Sequence, residues 1–370
     1  MNKEQEDLLL ILKCALWQDV RYASGIDKPC WDKIYKLAYE QCVVGNGADS
    51  FNVLSSEHRD MDGKLRWLGY VIKQEQKNRL QNESIGKLFR TLKGLGLSPV
   101  LMKGQAFAAN YPFPLHRQCG DIDVYFKKHD DCHKAVAWAE RKDKAAAESS
   151  YNKRERKHFC FFMDGNEIEL HYHLCLFENE ELQKRLQRII DDEFDNNEPC
   201  FADIGGERIE MIPPTLSVLH QIIHISRHLL EAGVGLRQLC DLALYLDKFH
   251  SVIDKERLNA YLNELQLVTI AGSIGYILVD NLGLEEGRLP FKKNKQYADF
   301  LLQEIFEGGN FGKKNVKYRE NCHGLKRKLQ SVIYFFRRCW TYKPLMPKEA
   351  RSYFLNKISL NIKLMTKHHY

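Results

Sequence analysis

The chain has 370 residues, of which 44% are hydrophobic, 11% aromatic and 28% charged, and its formal net charge is +6. A mean hydropathy of −0.45 excludes a polytopic membrane protein, and the aromatic content excludes a chain that is disordered throughout. The length allows two or three globular domains.

The N-terminal sequence predicts helices and shows no secretory pattern. Apolar residues between Leu8 and Leu16 recur at helical spacing, and acidic residues precede them, so we expect an amphipathic helix rather than a signal peptide. The same periodicity predicts helices up to residue 95. Eleven cysteines, with no C-x-x-C pair, favour reduced thiols, so we expect a cytoplasmic protein.

A change of pattern after residue 95 predicts a small α/β core. Its elements are, in chain order, a buried strand over 99–102, a turn at Lys103 and Gly104, a helix over 105–110, an alternating strand over 120–126, a helix over 134–141, a weakly structured polar stretch over 142–150, and strands over 157–163 and 167–174. The last two strands flank Asp164-Gly165-Asn166, which is typical of a hairpin turn.

Helical periodicity returns at about Pro213 and continues to the end of the chain. The most apolar stretch, 268–284, contains Asp280 and several glycines, so it predicts a buried helix rather than a membrane span. We therefore expect an α+β protein with a small mixed β-sheet between two helical regions. The predicted divisions are 1–95, 96–212, 213–310 and 311–370.

The last of these divisions carries most of the positive charge. Residues 311–370 include 15 Lys and Arg but only 2 Asp and Glu, whereas the rest of the chain has a net charge of −7. Aromatic residues such as Phe336 and Trp340 lie among the basic ones. This pattern favours RNA or another anionic partner, such as a membrane surface. An ordinary solvated helical face gives the same pattern.

Carboxylates on two predicted strands are the most informative chemical feature. Side chains two residues apart in a strand share a face, so Asp121 and Asp123 lie side by side, and Glu169 shares a face with His171 and His173. If the two strands are neighbours, three carboxylates converge. Such a group needs a cation, and hard oxygen ligands select Mg²⁺ or Mn²⁺, which suits phosphoryl or nucleotidyl transfer.

Taken together, these motifs resemble the bacterial nucleotidyltransferase-like family of the polymerase-β superfamily. The resemblance rests on Leu101-Met102-Lys103-Gly104, Tyr111-Pro112, Arg117, Gly120-Asp121-Ile122-Asp123-Val124, Glu169-Leu170-His171 and the helical sequence over 236–242. It covers roughly residues 65–250. One departure from the wider superfamily is Gln105, which follows Gly104 where a second glycine or a serine is usual.

The resemblance implies a mixed sheet flanked by helices and an NTP bound as its magnesium complex. Asp121, Asp123 and Glu169 would then be the catalytic residues and the metal ligands, with Glu169 acting either as a ligand or as the base. The predicted NTP-binding residues are Lys103, Gly104, Gln105, Arg117, His171, His224 and His228. Gly104 would let the backbone approach the triphosphate, and Lys103 and Arg117 would neutralise phosphate oxygens.

Several of these residues also have simpler interpretations. Glu167 shares a strand face with Glu169 and competes for its role, and His171 could be a structural histidine. His220, His224 and His228 recur every four residues, so they line one helical face. They could form a zinc site, line the cleft or lie in the core, and Arg237 and Asp241 could form a helix salt bridge.

The sequence thus predicts a metal-dependent nucleotidyltransferase that transfers a nucleoside monophosphate from an NTP to an acceptor. The acceptor could be a protein, an RNA or a small molecule. Two other hypotheses stay open, namely a catalytically silent module that binds a nucleotide or RNA, and a partner protein that acts through its basic tail.

Overall fold

A computed structural model describes residues 1–54, 61–149, 157–310 and 325–366, and the side chains of 1–54, 64–149, 157–310 and 333–358. Its α-helices are α1 (Lys3–Trp17), α2 (Trp31–Glu40), α3 (Val44–Asp49), α4 (Met61–Gly94), α5 (Gln105–Ala108), α6 (His129–Lys142), α7 (Lys144–Glu148), α8 (Glu180–Asp195), α9 (Pro214–Glu231), α10 (Leu236–Phe249), α11 (Lys255–Glu264), α12 (Val268–Tyr276), α13 (Ala298–Gly308), α14 (Leu325–Tyr342) and α15 (Pro347–Thr366). Its strands are β1 (Pro99–Leu101), β2 (Ile122–Phe126), β3 (His158–Met163), β4 (Asn166–His171), β5 (Cys200–Ile204) and β6 (Glu207–Met211).

The strands form one mixed sheet in the order β3-β4-β2-β1-β6-β5. The central pair β1–β2 is antiparallel, β2–β4 and β1–β6 are parallel, and the outer pairs β3–β4 and β5–β6 are hairpins. The chain therefore returns twice to the centre of the sheet, once through β4 and once through β6. This is the α+β fold with a small mixed sheet that the sequence predicts.

Both faces of the central strands are covered. Leu101 and Val124 point to one face, where they join a core with residues of α4 and α6. Val100 and Tyr125 point to the other face and belong to a second core with the remaining helices. Because alternate side chains enter two different cores, every residue of β2 is buried.

The second core joins both ends of the described chain. Buried apolar side chains of α1, such as Leu8 and Leu12, belong to the same cluster as Leu239 of α10 and Leu301 of α13. The N-terminal helices and the helices after Pro213 therefore enclose one continuous interior. The four-part division of the chain stays a prediction.

Most of the elements expected from sequence are present, with local differences. The helix at the N-terminus, the strand before Lys103, the hairpin and the buried apolar stretch after residue 268 are confirmed. The prediction of a weakly structured stretch is wrong for residues 142–149. Asp143 caps the short helix α7 there by accepting a hydrogen bond from the Ala146 amide. The strand β4 ends at His171 rather than at residue 174, and α8 and the β5–β6 hairpin have no counterpart in the sequence interpretation.

The basic C-terminal segment lies partly outside the described residues, namely at 311–324 and 367–370. In the part that is described, Tyr342 is buried and Arg338 donates to the backbone carbonyls of Leu229 and Leu230 at the end of α9. Phe336 and Trp340 remain exposed. Some of the aromatic and basic residues therefore anchor α14 to α9, and the predicted RNA or anionic partner stays a prediction.

Among the described residues, none of the helices combines the length and the apolar character needed to cross a membrane.

Candidate active site

The three predicted carboxylates meet on one side of the sheet. The strands β2 and β4 are parallel neighbours whose register places Asp123 opposite Glu169, and Asp121 lies directly before β2. One carboxylate oxygen of each residue lies within 4.8 Å of the others. The three side chains therefore converge on a single face, as a shared cation site requires.

The like charges in this cluster affect each other strongly. Repulsion from Asp123, together with burial, raises the pKa of Asp121. Burial also acts to raise the pKa of Asp123, but the ammonium of Lys103 and the imidazole of His171 outweigh it and hold that pKa below its ordinary value. Two carboxylates that repel each other in a partly buried site fit a dication, since hard oxygen donors are what Mg²⁺ and Mn²⁺ prefer.

A lysine and a glycine form the turn beside the carboxylates. Lys103 Nζ lies 2.8 Å from Asp123 Oδ1. Gly104 has φ +63° and ψ −111° and precedes α5, and a Cβ at this position would come within 3.6 Å of the backbone oxygen of Asp121. This backbone conformation is costly for any residue with a side chain, so glycine is required here for the conformation itself.

Gly104→Ala is therefore expected to lower the free energy of unfolding by ~1–3 kcal/mol, because alanine at this φ and ψ is strained. Gly94→Ala is the matched control, since Gly94 ends α4 without a positive φ and an added Cβ there meets open space. The comparison is made by urea unfolding of both variants. Equal stability of the two would show that the turn relaxes without cost.

Two histidines lie against the carboxylates. His171 Nε2 is 2.9 Å from Asp123 Oδ1 and 3.2 Å from Glu169 Oε2. Burial acts to lower the pKa of His171, but these two hydrogen-bonded carboxylates raise it above its ordinary value. His158, whose Nε2 lies 3.2 Å from Glu169 Oε1, was not identified from the sequence. The signal was present, because the Asp164-Gly165 turn pairs residue 158 with residue 171 across the hairpin.

The helix α9 forms the opposite wall of the cleft. His220, His224 and His228 all line it, and they contact each other successively along the helix. Burial lowers the pKa of His220 to about 3 and that of His228 to about 4, and it lowers the pKa of His224 as well. These imidazoles are therefore neutral at pH 7. The cleft between this wall and the sheet has a volume of about 280 Å³.

Glu167 and Glu169 share a strand face but have different surroundings. Glu169 lines the cleft, whereas Glu167 is exposed and accepts a hydrogen bond from Cys160 Sγ. His173 also lines the cleft but lies beyond the end of β4. The position of Glu169 is the one expected from sequence.

Gln105 does not reach the cleft. Its side-chain amide donates to Asn78 Oδ1 and Gln81 Oε1 of α4, because the α5 helix turns this side chain away from the carboxylates. Gln105 is absent from the residues that line the described cleft. The NTP-binding role of Gln105 stays a prediction, and in the described structure its side chain is directed to α4.

Arg117 lines the cleft and forms a buried ion pair that the sequence analysis did not predict. Its guanidinium forms two hydrogen bonds to Asp241, of 2.8 Å from Nε and 2.6 Å from a terminal nitrogen, and both side chains are buried. Asp241 is therefore paired with Arg117 rather than with Arg237, which donates instead to the backbone oxygen of Gln118. Arg117 therefore links the segment before β2 to α10, and its contact with phosphate stays a prediction.

A mixed sheet with three carboxylates and a lysine–glycine turn at the floor of a cleft is the arrangement that the resemblance to nucleotidyltransferase-like proteins implies. The comparison with family models agrees, since the model described as "Uncharacterised nucleotidyltransferase" matches residues 27–283. The chain belongs to this family. Neither a curated protein nor a solved structure matches the chain.

Proposed function

We propose that this protein transfers a nucleoside monophosphate from a Mg²⁺- or Mn²⁺-bound NTP to the hydroxyl group of an acceptor. The observation that carries the proposal is the convergence of Asp121, Asp123 and Glu169 within 4.8 Å at the floor of an open cleft. A cleft with this floor combines the ligands of a dication with space for a phosphorylated substrate.

In the proposed reaction, the acceptor oxygen attacks the α-phosphorus and the bond from that phosphorus to the bridging oxygen of the β-phosphate breaks. Pyrophosphate leaves, and the hydroxyl proton passes to a base. Glu169 is either that base or a metal ligand beside the attacking oxygen. A dication held by the three carboxylates would offset charge on the triphosphate and align it for in-line attack.

The chain's other cleft residues supply binding and charge balance. Lys103 is 19% exposed and lies on the cleft floor, so its ammonium is placed to offset charge on phosphate oxygens. Gly104 leaves the backbone open to a close approach by the triphosphate. The neutral imidazoles of His224 and His228 face the floor from α9 and suit contact with the uncharged part of the nucleotide.

The test is to incubate the full-length protein with each of the four α-³²P-labelled NTPs, Mg²⁺ or Mn²⁺ and a cell extract. We expect label to appear on a protein, an RNA or a small molecule, and Glu169→Gln is expected to abolish it. Glu167→Gln is the control, because it removes an exposed carboxylate from the same strand face.

Three other outcomes would contradict the proposal. A rise in melting temperature with NTP but no labelling would identify a nucleotide-binding module without transfer. Labelling that survives Glu169→Gln would place the chemistry elsewhere. Labelling lost equally in both variants would show that the loss is not specific to Glu169.

A further inference from the structure

A second group of ligand-type side chains adjoins the three carboxylates. His158, Glu169 and His171 each offer one ligand atom, and these atoms lie within 4.8 Å of one another. The two groups share Glu169. The second group differs in chemistry, because it supplies two imidazole nitrogens in addition to a carboxylate.

The sheet register explains why these three side chains meet. His158 of β3 pairs with His171 of β4 across the hairpin, and Glu169 lies two residues before His171 on the same strand. Residues two apart in a strand point to the same face. The arrangement therefore follows from the register of the paired strands β3 and β4.

The distances, which are those of hydrogen bonds and ion pairs in the metal-free protein, also fit the ligands of one metal ion. The two imidazole nitrogens lie 3.2 Å from the two oxygens of Glu169, one nitrogen at each oxygen. Ligands bound ~2.1 Å from a tetrahedral or octahedral ion are separated by roughly 3.0–3.4 Å when they are adjacent. The three side chains are also 10–15% exposed, so they open toward the cleft and leave access for an ion.

We propose that His158, Glu169 and His171 bind a divalent transition-metal ion of the Zn²⁺ or Co²⁺ type, beside the oxygen-only position of Asp121 and Asp123. Imidazole is a good ligand for these ions and a poor one for Mg²⁺. Because Glu169 belongs to both groups, it would be a ligand shared by the two positions, as in sites that use two metal ions for an in-line displacement. The pairing of the two positions rests on the proposed function. The nitrogen-containing position does not, because its three side chains lie together whether or not a nucleotide binds.

The experiment is a titration of metal-free, full-length protein with CoCl₂ in the absence of any nucleotide, followed by the visible ligand-field absorption of Co²⁺. We expect one Co²⁺ to bind with nitrogen ligation, ZnCl₂ to displace it, and MgCl₂ in large excess to leave it in place. His158→Ala is expected to weaken Co²⁺ binding by about ten-fold or more, because it removes one of three protein ligands. His173→Ala is the control, since His173 lines the same cleft but lies outside the trio.

A second measurement needs no variant. X-ray absorption spectroscopy of one equivalent of Zn²⁺ bound to the wild-type protein detects the outer-shell scattering of imidazole when histidine is a ligand, so it decides the question even if His158→Ala does not fold. Absence of imidazole scattering, equal Co²⁺ affinity in His158→Ala and wild type, or displacement of Co²⁺ by equimolar Mg²⁺ would each overturn the inference.

The two proposals fail in different ways. Nitrogen-ligated Co²⁺ without any transfer of label would leave this inference standing and overturn the proposed function. Transfer with Mg²⁺ but no nitrogen-ligated ion would do the reverse.

Discussion

Asp121→Asn is expected to abolish nucleotidyl transfer and at the same time to leave the metal-free protein at least as stable as wild type. The carboxylate of Asp121 is one of three that would hold the dication, and several kcal/mol of transition-state stabilisation depend on such an ion. A loss of this size slows transfer by about a thousand-fold or more. Transfer is measured with the labelled NTP and the acceptor that the labelling experiment identifies.

The stability part of this prediction follows from the repulsion between neighbouring carboxylates. Because Asp123 raises the pKa of Asp121, the ionised form of Asp121 is disfavoured in the folded protein. Removing this charge therefore removes a repulsion from the metal-free protein. The melting temperature in EDTA should therefore stay level or rise. Added Mn²⁺ should stabilise the wild type more than the variant, since a ligand that binds the folded state stabilises it.

Asp203→Asn is the matched control for Asp121→Asn. Asp203 lies in β5 of the same sheet, is exposed and does not line the described cleft. Its replacement changes the net charge by the same amount and should alter neither transfer nor the response to Mn²⁺. A fall in melting temperature for Asp121→Asn in EDTA would show that the Asp121 carboxylate stabilises the fold without a bound cation, contrary to this prediction.

Arg117→Ala is expected to destabilise the protein by ~3–5 kcal/mol, which is the usual cost of leaving one partner of a buried ion pair alone. Among the described residues, Tyr111 would then be the remaining hydrogen-bond donor to the Asp241 carboxylate, at 2.7 Å, in a site where Asp241 is 3% exposed. Urea unfolding measures the effect. Arg117→Lys should recover part of the loss, because lysine keeps the charge but not the two parallel hydrogen bonds.

The control for this prediction is Arg79→Ala. Arg79 forms an exposed salt bridge with Glu75 one turn away on α4, and such pairs contribute at most about 0.5 kcal/mol. If Arg117→Ala unfolds like wild type but loses affinity for NTP, the guanidinium binds phosphate as the sequence implies. A large loss of stability would instead identify Arg117 as a residue that holds the segment before β2 against α10.

The order of the main elements and the identity of the acidic residues could be predicted from the sequence. Strand residues alternate between two faces, and helical faces repeat about every 3.6 residues, so local patterns were enough to place β1, β2 and the hairpin. The Lys103-Gly104 turn, the carboxylates of Asp121 and Asp123, and the preference for Glu169 over Glu167 came from the same patterns and the family resemblance.

Other features could not be predicted because they depend on partners that are distant in the chain. Nothing in the sequence near Gln105 shows that α4 will receive its side chain, 24 and 27 residues away. The pairing of Arg117 with Asp241 joins residues 124 positions apart, whereas the local spacing favoured Arg237. His158 could have been found from the hairpin register, whereas only the parallel pairing of β2 with β4 brings that hairpin beside Asp123.

The amino-acid sequence by itself therefore determined which residues carry the charge and the ligand atoms, since side-chain chemistry and strand periodicity are local properties. Only the tertiary structure decided which of those charges are neutralised within the protein and which remain facing the cleft. The reason is physical, because a buried charge is stable only where another element brings it a partner, and that partner is chosen by packing rather than by distance along the chain.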